Sequence, residues 1–373
     1  MNVYLDYNAT APIRPEARAA ALAALEIGAN PSATHAVGRA ARAVIERARA
    51  DLAALAAASP AAVTFVSGGA EANALAMESA VAAGCDRIIV GATEHETVWA
   101  TAHALETDPE IWPVDGRGLA DLDWLKETLD RSRALVCLMA ANNETGVVQP
   151  VSEAANLVRS AGGWLHVDAV QAAGKIPLDV MALGADTLAL SGHKIGAPQG
   201  VGALISGERT TITRRLHGGG QERGHRAGTE NLSGIAGFGA AARAAARDLP
   251  STVDGSSWRD DLTARLEAVG ATVMGKGAPR LPQTLCVATP GFSSEAQVMA
   301  LDLEGVMISA GAACSSGKVK ASRVVEAMGR PDLASSSIRI SGGWASSEAD
   351  WRRCGEAWIE AHARHAARRK EFA

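Results

Sequence analysis

Apolar runs of four to seven residues recur through the first half of the chain, with turns or helical patterns between them. The runs are 62–66 (AVTFV), 87–90 (RIIV), 134–140 (ALVCLMA), 164–168 (WLHVD), 187–191 (TLALS) and 201–206 (VGALIS). Ahead of them, 16–27 and 36–58 are alanine- and arginine-rich with helical periodicity. Ser59-Pro60 stops the second of these, and the turn-rich GANPSATH separates the two. The segment SGGAEANALAMESAVAAG reads as a glycine turn opening a helix, and VSEAANLVRSAGG (151–163) as a further helix. Strands alternating with helices predict an α/β fold: a largely parallel sheet with helices on both faces.

After a helical stretch at 232–248 the rhythm changes at the polar break LPSTVDGSS. A helix near 258–269, strands near 284–288 and 306–309, a helix around 322–328, strand 337–341 and a terminal helix predict a smaller α+β domain. The basic tail HARHAARRK reads as a solvated helix end. A chain of 373 residues suits two domains at ~100–200 residues each. The expected division is a large domain at 16–249 and a small domain at 250–373, with 1–15 a segment packing on the small one.

Composition narrows the classes. Apolar residues at 47% and charged residues at 21% describe an ordinary globular protein, and a net charge of −5 excludes the basic stripe of a nucleic-acid binder. No run approaches the ~18 apolar residues of a membrane span, and the opening residues lack the apolar core of a leader, so a cytoplasmic protein is expected. Aromatics at 4% leave the packing to aliphatics, alanine and glycine. The five cysteines, at 85, 137, 286, 314 and 354, form no CxxC pair. Neither a disulfide framework nor a metal cluster is expected, and any important cysteine acts alone.

In parallel sheets ligands sit beyond the carboxyl ends of the strands. Five such ends carry polar groups: Ser67-Gly68-Gly69-Ala70-Glu71, Thr93-Glu94-His95, Asn142-Asn143-Glu144, Asp168 with Gln171, and His193-Lys194. A glycine turn at a helix N-terminus offers free N–H groups and a favourable dipole to an anion such as phosphate. A strand-end aspartate, a lysine just past the next strand, a phosphate cradle and a histidine together suit pyridoxal phosphate. Lysine forms the Schiff base, aspartate keeps the pyridinium nitrogen protonated, and an imidazole covers the ring.

These residues resemble the cysteine desulfurases of the NifS/IscS type. The likeness runs along nearly the whole chain, through YLDYNATAP (4–12), NPSATH (30–35), SGGAEAN (67–73), TEHETV (93–98), NNETGVVQP (142–150), HVDAVQAAGK (166–175), SGHKIGAPQGVGAL (191–204), HGGGQERGHRAGTEN (217–231), SAGAACSSGK (309–318) and SSIRIS (336–341). It implies a pyridoxal-phosphate-dependent transferase of fold type I, with a mostly parallel seven-stranded sheet. Carried over position by position, Lys194 is the Schiff-base lysine, Asp168 faces the ring nitrogen, Gln171 the ring oxygen, and His95 stacks on the ring and carries protons. Gly69, Ala70, Ser191, His193 and, from the second subunit of a homodimer, Thr229 hold the phosphate. Asn143 and Arg339 bind the substrate carboxylate.

The resemblance makes Cys314 the persulfide cysteine on a mobile loop at about 309–322. L-cysteine becomes L-alanine, and the sulfur goes to an iron–sulfur scaffold or another acceptor, with Cys314 at most touching a cluster transiently. Two features depart from the family. Ala70 stands where threonine is usual, a hydroxyl worth ~1 kcal/mol. The segment SSGKVKASR lacks the acidic-proline pattern of housekeeping members. The rival readings are a selenocysteine lyase, an aminotransferase of the same fold, and a cofactor-free sulfur-transfer scaffold.

Overall fold

The computed structural model describes residues 2–105, 108–129, 133–250, 254–311 and 321–371. The first strand is β1 (Val3–Tyr4). A seven-stranded sheet follows from β2 (Val63–Val66), β3 (Arg87–Gly91), β4 (Glu110–Trp112), β5 (Ala134–Met139), β6 (Trp164–Asp168), β7 (Thr187–Ser191) and β8 (Gly202–Ser206). Its order is β2-β8-β7-β6-β5-β3-β4, parallel throughout except that β8 runs against both neighbours. Every residue of β2, β5, β6 and β7 is buried. Strands covered on both faces have no solvent side, so their sequences read as apolar runs.

The remaining strands are β9 (Thr272–Val273), β10 (Thr284–Ala288), β11 (Val306–Met307), β12 (Ser309–Ala310) and β13 (Ser337–Ser341). The run expected as one strand at 306–309 is two. β11 pairs in parallel with β1, while β12 pairs antiparallel with β13. Val3 and Leu5 share a core with Leu285, Ile338, Ile340, Trp351 and Trp358.

Small residues permit the closest helix contacts, as the low aromatic content requires. A Cβ on Gly239, in the helix Leu232–Asp248, would come within 2.6 Å of the Ala48 backbone in the helix Ala36–Leu55. That second helix ends three residues earlier than its periodicity predicts, because Ala57 turns left-handed at φ 48°. His362 and His365, in the tail read from sequence as a solvated helix end, are half-buried and stack on Trp358 and Phe292.

Loop 217–231 is tied to the sheet edge by a buried ion pair. Glu222 receives Arg49 at 2.8 and 2.9 Å and the Phe65 backbone N–H at 2.7 Å. Glu222 and Arg223 both stand left-handed, at φ 47° and 57°, a conformation disfavoured for side-chain-bearing residues. Removing Glu222 would leave the buried Arg49 guanidinium with the exposed Glu46 carboxylate at 3.2 Å and the Val63 carbonyl at 2.8 Å, and without its buried counter-charge. Glu222→Ala is therefore expected to lower stability by about 3–5 kcal/mol, read as a shift of the urea unfolding midpoint.

Candidate active site

A cleft of about 710 Å³ opens at the carboxyl ends of the parallel strands. Gly69, Ala70, His95, Asn143 and Asp168 line it, together with Gln171, Ser191, His193, Lys194 and Arg339. Two of the residues singled out from sequence stand apart. Thr229 is exposed on loop 217–231 and does not line this cleft. Cys314 lies outside the described residues.

One end of the cleft is built for an anion. The helix Gly69–Ala82 starts here, and its first N–H groups have no helical carbonyl to meet. Glycine is needed at 69, since a Cβ there would stand 3.0 Å from Val170 and 3.4 Å from the Ser191 side chain. Ser191 is buried, and His193 bonds Thr10 Oγ1 through Nδ1 at 2.6 Å. Burial, with Lys194 adjoining, pushes the His193 imidazole down to about 4, so it is neutral. Ala70 is exposed and contributes backbone alone.

Lys194 Nζ donates to the carbonyls of Asn8 at 2.6 Å and Ala9 at 2.9 Å. Burial, then Arg339, lowers the amine to about 8. Neutral carbonyls solvate an ammonium less well than water does, so the uncharged nucleophile gains. Asp168 accepts from two neutral donors, Val170 N–H at 3.0 Å and Asn73 Nδ2 at 2.9 Å. Gln171 donates to Asn8 O at 3.0 Å and accepts from Lys175 Nζ at 2.6 Å. Lys175 also donates to Asn8 Oδ1 at 2.9 Å, and full burial holds its amine well below the ordinary lysine value.

At the other end, Arg339 is buried in β13. It pairs with Asp6 at 2.8 Å and donates to Asn143 O at 3.2 Å, while its Nε has no partner. A buried guanidinium with one N–H still unpartnered suits a carboxylate. His95 caps the helix Glu96–Ala104, its Nδ1 accepting from the Thr97 N–H at 3.2 Å. Burial, opposed by Asp168, lowers its proton affinity.

Two acids sit beneath this surface. Glu94 is wholly buried and raised well above the ordinary carboxyl value by desolvation and by Asp168, with Oε2 unpartnered. Burial raises Glu144 to about 7, and it accepts from Ser322 Oγ at 2.5 Å. Gly311 approaches the same carboxylate, since a Cβ there would be 3.1 Å from Glu144 Oε2. Glu144 thus joins the described flanks of the segment that carries Cys314. The other four cysteines are buried, and burial raises Cys85 to about 11 and Cys354 to about 12.

Asn8, Asn73, Thr97 and Lys175 carry much of this geometry, yet the sequence reading gave them no role. Helical spacing could have found Asn73, one helical turn after Gly69 in the helix Gly69–Ala82, whereas Lys175 follows Gln171 within a turn outside any helix. Asn8 left no such signal: its side-chain partners Asn143, Lys175 and Thr284 are 135, 167 and 276 residues away.

Residues 3–353 match the family of class-V aminotransferases. A cysteine desulfurase of Cereibacter sphaeroides is 43% identical over 91% of this chain and 90% of its own length. The cysteine desulfurase IscS of Dictyoglomus turgidum is 37% identical over 93% and 91%. The solved NifS-like protein of Rickettsia africae superposes with a TM-score of 0.90 at 32% identity, covering 97% of this chain and all of that one.

Only the deprotonated Lys194 amine can attack a carbonyl. Its reaction with an amine-selective reagent in cofactor-free protein should therefore rise with pH through a midpoint near 8. Mass spectrometry of the labelled peptide checks this, and a midpoint at the ordinary lysine value would contradict the burial account.

Proposed function

The chain belongs to the class-V aminotransferase family and, within it, to the cysteine desulfurases of the NifS/IscS type, and from that premise we propose that it uses pyridoxal 5′-phosphate to take sulfur from L-cysteine, releasing L-alanine. One observation carries this reading: a lysine amine lowered to about 8 shares a cleft with an anion-binding helix start, a strand-end carboxylate and a part-paired guanidinium.

The residues present fit the cofactor. The helix start at Gly69-Ala70, with Ser191 and His193, would hold a phosphate. Lys194 would be the covalent anchor, Asp168 would face the ring nitrogen, Gln171 the ring oxygen, and His95 the ring face. When bound, the cofactor supplies an electron-poor ring that stabilises charge at the substrate α-carbon and loosens the bond from Cβ to sulfur.

The chain's own groups divide the remaining work. Arg339, steadied by Asp6, grips the substrate carboxylate together with Asn143. Lys194, neutral in useful proportion near neutral pH, takes the α-proton. Cys314, as thiolate, attacks the substrate sulfur; the new S–S bond forms as the bond from Cβ breaks, and the three-carbon fragment takes up protons and leaves as alanine. Ser309, five positions before Cys314 in the sequence, pairs with Arg339 of the cleft.

The proposal extends to a cytoplasmic homodimer in which Thr229 reaches the second subunit's phosphate site, with an iron–sulfur scaffold or another thiol as acceptor. It also takes 16–249 and 250–373 as the two domains. No described helix is long and apolar enough to cross a membrane, and no described cluster of side chains suits a metal ion.

Lys194→Ala should lose the visible absorbance of the cofactor-loaded protein, whereas Cys314→Ser should keep it and release no alanine from cysteine. An unchanged spectrum in the first variant, or full alanine production in the second, would refute the corresponding assignment. Ala70→Thr restores a hydroxyl at the helix start and should tighten retention of the cofactor about fivefold, on the basis of ~1 kcal/mol per hydrogen bond, measured by equilibrium dialysis.

A further inference from the structure

A neutral imidazole carries its proton on one nitrogen and offers a lone pair at the other. At His95 a group with no alternative makes the choice. The backbone N–H of Thr97 meets Nδ1 at 3.2 Å, and a backbone N–H can only donate. Nδ1 therefore accepts. Thr97 Oγ1, 3.0 Å from the same nitrogen, must donate to it as well.

That hydroxyl belongs to a longer directional chain. Thr97 Oγ1 accepts from Asn73 Nδ2 at 3.0 Å. The Asn73 amide cannot be turned over, because Nδ2 also donates to the carboxylate of Asp168 at 2.9 Å. Its Oδ1 then faces His166 Nε2 at 3.0 Å, which must carry hydrogen. His166 Nδ1 is left to accept from Thr187 Oγ1 at 3.0 Å, and that hydroxyl accepts from the indole N–H of Trp164 at 3.3 Å. Indole nitrogen is a donor only. The sequence of bonds runs one way, from Trp164 through His166 to Asn73, where it divides toward Asp168 and His95. Trp164, Thr187, His166, Asn73 and Asp168 are all buried, and burial lowers His166 to about 4, in keeping with a neutral ring.

We propose that Thr97 and Asn73 are positioning residues that lock His95 as its Nε2–H tautomer, so that the imidazole presents a proton donor and no lone pair to the cleft. In its resting state His95 cannot take the proton of an incoming thiol. A cysteine bound beside it, on the desulfurase reading, loses its thiol proton to solvent, and its sulfur accepts the Nε2–H hydrogen bond as a thiolate. This consequence rests on that reading; the tautomer does not. Protonating Nδ1 would lose the bond from the Thr97 N–H and force the Thr97 hydroxyl to turn from donor to acceptor. The charged groups facing the ring are Asp168 and Glu96, which favour its charging, and Lys194 and Arg323, which oppose it.

The test is nitrogen-15 NMR of histidine-labelled protein without cofactor or substrate, with His95 assigned by its loss in His95→Gln. The expected spectrum above the histidine range shows Nδ1 bare and Nε2 protonated. Thr97→Val keeps the side-chain shape but removes one donor to the neutral ring, so the His95 midpoint should rise by roughly 0.5–1 pH unit. Thr97→Ser should return it. A proton on Nδ1 in the unaltered protein, or a Thr97→Val midpoint that does not rise, would overturn the proposal; if Thr97→Val fails to fold, the unaltered protein decides alone. The readout needs no cofactor, so it stands apart from the absorbance loss that tests the desulfurase reading.

Discussion

The site depends on the burial of Asn8, whose polar groups all find partners inside the protein. Its backbone N–H donates to Ser341 and its carbonyl accepts from Lys194 and Gln171. The side-chain amide donates to the Asn143 carbonyl and to Thr284, and accepts from Lys175. A dry amide left unpaired costs about 1–3 kcal/mol per group, so these six bonds stand or fall together. They fasten the N-terminal segment, the seven-stranded sheet and the C-terminal sheet around one point. The same amide sets the electrostatics, because it meets two dehydrated lysines with neutral oxygens instead of carboxylates. Desolvation, which those oxygens offset less than carboxylates would, makes both amines weaker bases, and Lys194 becomes a usable nucleophile.

The charges around the cleft follow a consistent pattern. Lys194 and Arg339 face it, and Asp6 balances only one edge of the guanidinium. The nearby carboxyls of Glu94 and Glu144 are buried and pushed toward their neutral forms. Among the described residues lining the cavity Asp168 is the acidic one, and it is held by neutral donors. Such a site favours anionic ends, the phosphate of a cofactor and the carboxylate of an amino acid, and reserves one acceptor for a protonated ring nitrogen. With His95 turned as a donor, the wall also favours a sulfur that arrives already charged.

Much of the frame was legible from the chain. Strands β2, β5, β6, β7 and β8 came from short apolar runs because both their faces are covered. β4 escaped notice: at three residues, one of them exposed, it has too little pattern to read. The split at 306–309 was equally invisible, since Ile308 sits between two pairs of residues that bond to different sheets. In the site, the residues at strand ends were legible because parallel topology places them beside one another. Asn73 and Thr97 were quoted within motifs, but nothing local says that one amide spans a carboxylate and a hydroxyl.

By itself the sequence determined the alternation of strand and helix, the glycine turn that starts a helix against a strand end, and the set of strand-end groups able to hold an anion, a ring and a carboxylate. Each depends on neighbours within a few residues, where periodicity and turn chemistry act. The tertiary structure decided which lone pairs and protons those groups have left to offer. It set the neutral oxygens around Lys194, the unpartnered Nε of Arg339 and the tautomer of His95. Those properties follow from desolvation and from bonds between residues far apart in the chain, and they exist only once water has been excluded.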